Sequence, residues 1–195
     1  MLKKLALVVA LAAPACAFAG PYFVAGGALG KADLGDIESL YGPGAQLTSD
    51  DSFGRALIGV GADVTPYLGL EALYLTDAEV TVKDNTGQKD TLKNSGFQLA
   101  VIGKAPLSAQ FSLFGKLSAN YLEVKYEYVD ALVPANNLSA KDSKVHLGFG
   151  AGAQYQVNDA VALRLGVERI QLRDIIKGSG SSDVDQTSLA VTFAF

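Results

Sequence analysis

The chain has little of what most exported and most catalytic proteins rely on. Of its 195 residues one is cysteine, one is histidine and none is tryptophan. Cys16 sits close to the N-terminus, so the remainder has no pair of thiols from which to make a disulfide. A zinc site needs three or four ligands, and a single histidine without cysteine supplies too few of the usual donors. No metal or other cofactor is expected. Basic residues number 16 against 20 acidic ones, a net charge of −4. That is the wrong sign for a surface that holds phosphate backbones, so nucleic acid is not an expected partner. Past the N-terminal segment no run reaches the roughly 18 consecutive apolar residues of a membrane helix. Proline-rich linkers and solenoid-length repeats are missing too, which leaves one domain. Yet 49% of the residues are hydrophobic, too many for a disordered chain.

What is present begins with "MLKKLALVVALAAPACAFAG". Lys3 and Lys4 precede an apolar stretch from Leu5 to Ala13, and Ala17-Phe18-Ala19 makes a small-x-small cleavage site. This predicts a secretory signal peptide over residues 1–19, removed to leave a mature domain over 20–195. The alternative, a lipidated Cys16, has Ala13 where a leucine is usual and Pro14 in between.

Period-two alternation then runs through the mature chain. In "KVHLGFGAGAQY", Val145, Leu147, Phe149, Ala151 and Tyr155 share one face, while His146, Gly148, Gly150, Gly152 and Gln154 share the other. "AVALRLGVER" sets Leu163, Leu165 and Val167 against Arg164, Gly166 and Glu168. Such segments are strands with one apolar face. Eight can be placed, near Tyr22–Ala32, Ser52–Val64, Tyr67–Asp77, Ser95–Ala105, Phe111–Tyr126, Lys144–Gln156, Ala160–Asp174 and Gln186–Phe195. Short connections at Thr65-Pro66, Ala105–Gln110 and Val157–Asp159 alternate with long polar ones at Asp33–Asp51, Ala78–Asn94, Glu127–Ser143 and Ile175–Asp185. The pattern predicts an all-β fold, an eight-stranded antiparallel up-and-down barrel.

Which face lies inside decides the function class. The non-apolar face is small, with about one charge per strand, and suits a narrow lumen filled by side chains. Large apolar residues from eight strands would overfill that lumen and leave Glu71, Lys116 and Arg164 on a bland exterior. Turned the other way, the apolar face meets lipid and the barrel is transmembrane. An Arg facing lipid at mid-depth costs roughly 2–4 kcal/mol, so Arg164 is expected to point inward and to be paired.

The same residues resemble a known family, the small OmpA-like outer-membrane β-barrels of Gram-negative bacteria. The resemblance lies in "VTPYLGLEALY", "GFQLAVIGKAP", "FSLFGKLSANY" and "GAQYQVNDAVALRLGVE", in that order and spacing, and in the closing "SLAVTFAF". It implies an outer-membrane location, contact with lipopolysaccharide and phospholipid, and surface loops able to meet a ligand. The family's peptidoglycan-binding domain is expected to be lacking. Leu189, Val191, Phe193 and Phe195 match the terminal strand that signals to the β-barrel assembly machinery. Glu71 matches the lumen acid of the third strand, with Arg164 and Lys116 as bases on the seventh and fifth. Gln154 stands where the family has an acid, and Ile102 where a lysine is frequent, with Lys104 one step along the same face. Glu168 completes the expected lumen network.

Two readings of that network stay open: charges that merely satisfy one another, or a salt-bridge gate. His146 lacks a neighbouring Ser-Asn stretch of the kind lipid-hydrolysing barrels use, so no enzyme activity is expected. "SDDS", "VKDNTGQKD" and "SGSSDVD" lack the ligand spacing of a calcium loop and read as solvated surface. "GFGAGA" alternates within a strand and precedes no helix, unlike a nucleotide loop. Tyr121, Tyr126 and Tyr128 fit an aromatic girdle and rim. The expected role is structural or surface-interacting, with a narrow gated channel as the alternative and a lipid A-modifying enzyme behind it. A soluble lipocalin-like binder is disfavoured, since without tryptophan there is no Gly-x-Trp signature.

Overall fold

A computed structural model describes residues 20–32, 47–84, 88–130, 138–173 and 181–195. Every regular element among them is a strand. In chain order these are β1 (Gly20–Ala32), β2 (Leu47–Asp50 continuing at Ser52–Thr65), β3 (Leu68–Asp84), β4 (Gln88–Pro106), β5 (Phe111–Asp130), β6 (Leu138–Gln156), β7 (Val161–Arg173) and β8 (Ser181–Ala194). Both pieces of β2 pair with β3, so they act as one strand interrupted at Asp51. Each strand pairs antiparallel with its sequence neighbours, and β8 pairs with β1 to close the barrel. The expected leader over residues 1–19, with Cys16, lies outside the described residues.

The ladder is staggered. Followed sideways from Tyr22 through Gly61, Glu71, Ala100, Ser118, Gly148, Ile170 and Val184, it returns to β1 at Ala32, ten residues further on. Eight strands with that stagger tilt by about 40° and enclose a lumen that side chains alone can fill. The short turns carry their own chemistry. The Ser108 Oγ accepts from the Phe111 amide at 3.0 Å, and the Asn158 Oδ1 accepts from the Ala160 and Val161 amides at 2.9 Å. Each side-chain oxygen satisfies backbone donors that a tight turn leaves free.

Alternation sorts the faces. Leu117, Leu147, Phe149, Leu163, Leu165 and Leu189 point outward and are exposed, whereas Glu71, Arg164, Glu168 and Gln98 are buried inside. The interior is not purely polar, however. Val24, Phe53, Leu57, Leu73, Leu75, Leu122, Ile170 and Val184 form a buried apolar cluster there. Space inside a narrow barrel must be filled, and apolar side chains fill it without a desolvation cost.

The strands also run further than the alternation indicated. Most of Ala78–Asn94, read from sequence as a loop, is the β3–β4 hairpin, with Ala78 paired to Asn94 and Lys83 to Lys89. Likewise β5 reaches Asp130, β6 starts at Leu138 and β8 at Ser181. There both faces leave the hydrocarbon, the apolar contrast fades, and only the hydrogen-bonded ladder continues. A register shift between Leu75 and Ala78 resets the alternation so that Ala78, Val80 and Val82 are all buried. The walls are uneven: β3 to β6 hold 17, 19, 20 and 19 residues, against 13 in β1 and β7.

Candidate functional site

The lumen is where the charged residues singled out in the sequence converge. Its lower network, nearer the short turns, centres on Glu71 of β3. Arg164 of β7 donates to the Glu71 carboxylate, and the Tyr22 hydroxyl donates to the same oxygen at 2.9 Å. The directly laddered β7 neighbour of Glu71's row is Ile170, and the stagger of the barrel brings Arg164, six residues lower, to its depth. The Arg164 fork also donates to Gln154 Oε1 from Nε at 3.2 Å and from Nη2 at 2.9 Å. Its guanidinium lies 5.8 Å from the Tyr22 ring and 5.4 Å from the Phe114 ring. Paired and flanked this way, the charge is held in a fixed geometry.

Lys104 joins from below, but to a residue that charge matching overlooked. Its ammonium sits 2.7 Å from Asp63 Oδ1 and 2.8 Å from Oδ2, and 5.6 Å from the Tyr22 ring centroid. Ile102 is buried beside Ala100 and Phe114.

Lys116 does not complete the Glu71 set; it belongs to a second network one step higher. Its ammonium lies 2.5 Å from Glu168 Oε2 and donates to Gln98 Oε1 at 3.0 Å. Glu168 Oε1 also accepts from Ser118 at 2.6 Å and from Gln98 Nε2 at 3.0 Å, and Oε2 from Gln186 at 3.0 Å. Asn120 links Gln98 to Ser118, accepting at 2.7 Å and donating at 2.9 Å. Four donors on one carboxylate compensate its removal from water. The neutral members Gln98, Ser118, Asn120 and Gln186 lie on the inward side of the alternation, the one sequence signal that marks them.

Glycines keep the lumen passable for these long side chains. A Cβ on Gly61 would come within 2.4 Å of the Tyr22 ring, and one on Gly148 within 2.5 Å of Ser118 Oγ. His146 is buried on the lumen face. At the long-connection end, Tyr126 donates a short hydrogen bond to Asp90, and burial with that bond raises the Tyr126 hydroxyl above its usual value. Outside, Arg169 grips Asp185 through two bonds of 2.6 Å, which hold that carboxyl below the usual range. Among the described residues no three His, Cys, Asp or Glu are grouped as metal ligands.

The last strand closes the wall. Leu189, Phe193 and Phe195 are exposed outward and Val191 is half-buried among them. The Phe195 ring lies 4.9 Å from that of Phe23, and its amide donates to the Pro21 carbonyl at 3.2 Å.

Comparison with curated protein sequences finds no match. Among solved structures, neisserial surface protein A superposes with a TM-score of 0.59 at 13% identity, covering 90% of this chain and 99% of that one. Ail, the attachment invasion locus protein of Yersinia pestis, gives 0.58 at 16%, covering 90% and 99%. OprG of Pseudomonas aeruginosa gives 0.56 at 16%, covering 91% and 96%. At these identities the likeness is one of fold. A family model described as the outer membrane protein beta-barrel domain matches residues 4–195. Closed, apolar outside and matched along almost its whole length, the chain belongs to the outer-membrane protein β-barrel domain family.

Proposed function

We propose that this outer-membrane barrel is a closed, non-enzymatic scaffold that holds surface segments above the membrane for contact with a ligand. What supports the reading is the packing of described side chains inside the barrel. The Glu71–Arg164–Gln154 and Lys116–Glu168–Gln98 networks occupy one part, and the apolar cluster around Leu57, Leu75, Leu122 and Ile170 fills another. Parting a buried ion pair costs several kcal/mol, so these networks would resist the passage of ions in this reading. Lipopolysaccharide and phospholipid surround the apolar belt in this reading. The leader over 1–19 is removed on export, and the Leu189–Phe195 strand is the segment offered to the β-barrel assembly machinery.

Planar-bilayer recording of the purified, folded protein tests it. Silence across ±100 mV is the expected result; steady unitary conductance would instead establish the gated-channel alternative. In that case Glu71→Gln, which weakens the hold on Arg164, should raise the open fraction. Turnover of lipid A that vanishes in His146→Ala would show an enzyme and overturn both.

A further inference from the structure

The outward face of the tall flank carries charges that neither the lumen networks nor the apolar belt accounts for. Lys93 on β4 lies directly opposite Lys125 on β5, and Lys125 opposite Lys141 on β6. The ladders between these strands run without a register shift from here to Leu99, Leu117 and Leu147, which are exposed outward. All three lysines therefore stand on the outside of the wall, with side chains 37%, 52% and 57% exposed.

Like charges facing each other across a ladder destabilise it, and the neighbouring acids do not balance the row. Glu79 lies 3.4 Å from Lys93. Glu123 is divided between Lys141 at 2.8 Å and Lys125 at 4.0 Å. Glu127, one rung higher, faces Thr91 and Ser139 and, among the described residues, makes no ion pair with the row. Three ammonium groups thus share two carboxylates. On the opposite flank the balance is reversed, with Arg169 and Lys31 set against Asp183, Asp185 and Asp51.

Height decides what such a row can meet. Two rungs below it, on the same face, run Phe97, Tyr121 and Val145, and from there down the outward side chains of these strands are apolar. Four residues of strand span about 13 Å, or about 10 Å of height at a tilt near 40°. The ammonium groups therefore stand just beyond the hydrocarbon, at the level of lipid headgroups, on the side of the long connections. Ser95 and Ser143 in the intervening row add hydroxyls to the same face. Clustered lysines beside a membrane-spanning segment attract anionic headgroups, and an ammonium group is an apt partner for phosphate.

We propose that Lys93, Lys125 and Lys141 form a docking face for the phosphate groups of a lipid A-type glycolipid in the outer leaflet, whose chains lie against Phe97, Tyr121 and Val145. The phosphates supply the negative charge that the row lacks, and the apolar row beneath favours a lipid over a free anion. The proposal rests on the reading above only in placing the long connections on the outer side.

Native mass spectrometry of the folded protein in a neutral detergent, titrated with bisphosphorylated lipid A, tests it. The protein should retain this lipid, and the fully dephosphorylated lipid should bind at least about tenfold more weakly. Each of Lys93→Gln, Lys125→Gln and Lys141→Gln should weaken binding on the order of fivefold, and the triple variant should no longer distinguish the two lipids. Lys31→Gln/Arg169→Gln on the opposite flank should leave binding unchanged. Unboiled gel mobility checks that each variant is folded, and the two lipids compared on the unaltered protein decide the matter if the triple variant is not. Conductance in planar bilayers would overturn the scaffold reading and leave these ratios as they are. Equal binding of both lipids, a triple variant that binds like the unaltered protein, or displacement of the lipid by an equal concentration of pyrophosphate, the mark of a free-anion site, would overturn the proposal.

Discussion

Replacing Arg164 by methionine tests the central feature of the lumen. The side chains of Glu71 and Arg164 are only 2% and 8% exposed, so neither can fall back on bulk water. In the variant Glu71 keeps the Tyr22 hydroxyl and loses its counter-charge, while Gln154 Oε1 loses two donors. Removing one partner of a buried pair costs about 3–5 kcal/mol, which is roughly two to three and a half orders of magnitude in the folding equilibrium. Glu71→Leu should cost a similar amount by stranding the arginine. The double variant Glu71→Leu/Arg164→Met leaves no unpaired charge, only orphaned neutral groups at about 1–3 kcal/mol each. It should therefore be more stable than either single variant, with a coupling energy of several kcal/mol. Urea unfolding in lipid vesicles, followed by the gel mobility of unboiled samples and by far-UV circular dichroism, gives the three values. Salt should change them little, since a buried pair is poorly screened. Additive single costs, or singles below about 1 kcal/mol, would show a hydrated lumen and refute the argument.

Three further outcomes follow from the same geometry. Leu163→Arg places a charge on the outward, exposed neighbour of Arg164 and should cost roughly 2–4 kcal/mol in lipid vesicles; a neutral effect would mean that this face is wet. Gly61→Ala pushes a methyl within 2.4 Å of the Tyr22 ring and should destabilise by about 1–3 kcal/mol, and unfolding of the Gly61→Ala/Tyr22→Leu double variant should show the penalty relieved. Because the Asp185 carboxyl is held below its usual range by Arg169, its contribution is present above the unfolded carboxylate value and lost as pH falls through the lower folded one. Asp185→Asn should thus lower the urea midpoint at neutral pH, by the modest effect of about 0.2–1 kcal/mol or less that solvent-screened pairs give, and the difference should shrink as pH falls below the unfolded carboxylate value.

Much of the barrel is legible in alternation alone, because a strand's two faces meet opposite solvents here. That contrast places Leu163 and Phe149 outward and Arg164 inward, and it fails where the contrast fails. Thr81, Val82, Asp90 and Thr91 pair across the β3–β4 hairpin, but with no hydrocarbon against one face their polarity carries no period. The lumen networks were legible in membership more than in pairing. Alternation gives the face of Lys116 and Glu168 but not their heights, and the partner of Lys116 depends on a ten-residue stagger that no single strand encodes. Gln98, Ser118 and Asn120 are neutral, so a search by charge passes over them, whereas Asp63 is charged but sits beside a turn, at the edge of the alternating segment. Arg55 is charged and still not singled out, because its burial on the inner face, within electrostatic reach of Glu168, emerges only from the assembled wall.

The uneven height of the wall has a mechanical meaning. A strand crosses hydrocarbon in about ten residues, so the 20 residues of β5 leave about ten standing clear, roughly 30 Å of chain. Through β5 the same unbroken ribbon that rises to Tyr128 carries Ser118 and Lys116 at its foot, laced to β4 and β6 along its length. A force applied to that flank is therefore delivered to the carboxylate of Glu168 through stiff hydrogen-bonded sheet, whereas a push on the shorter side of β7, β8 and β1 has no such lever.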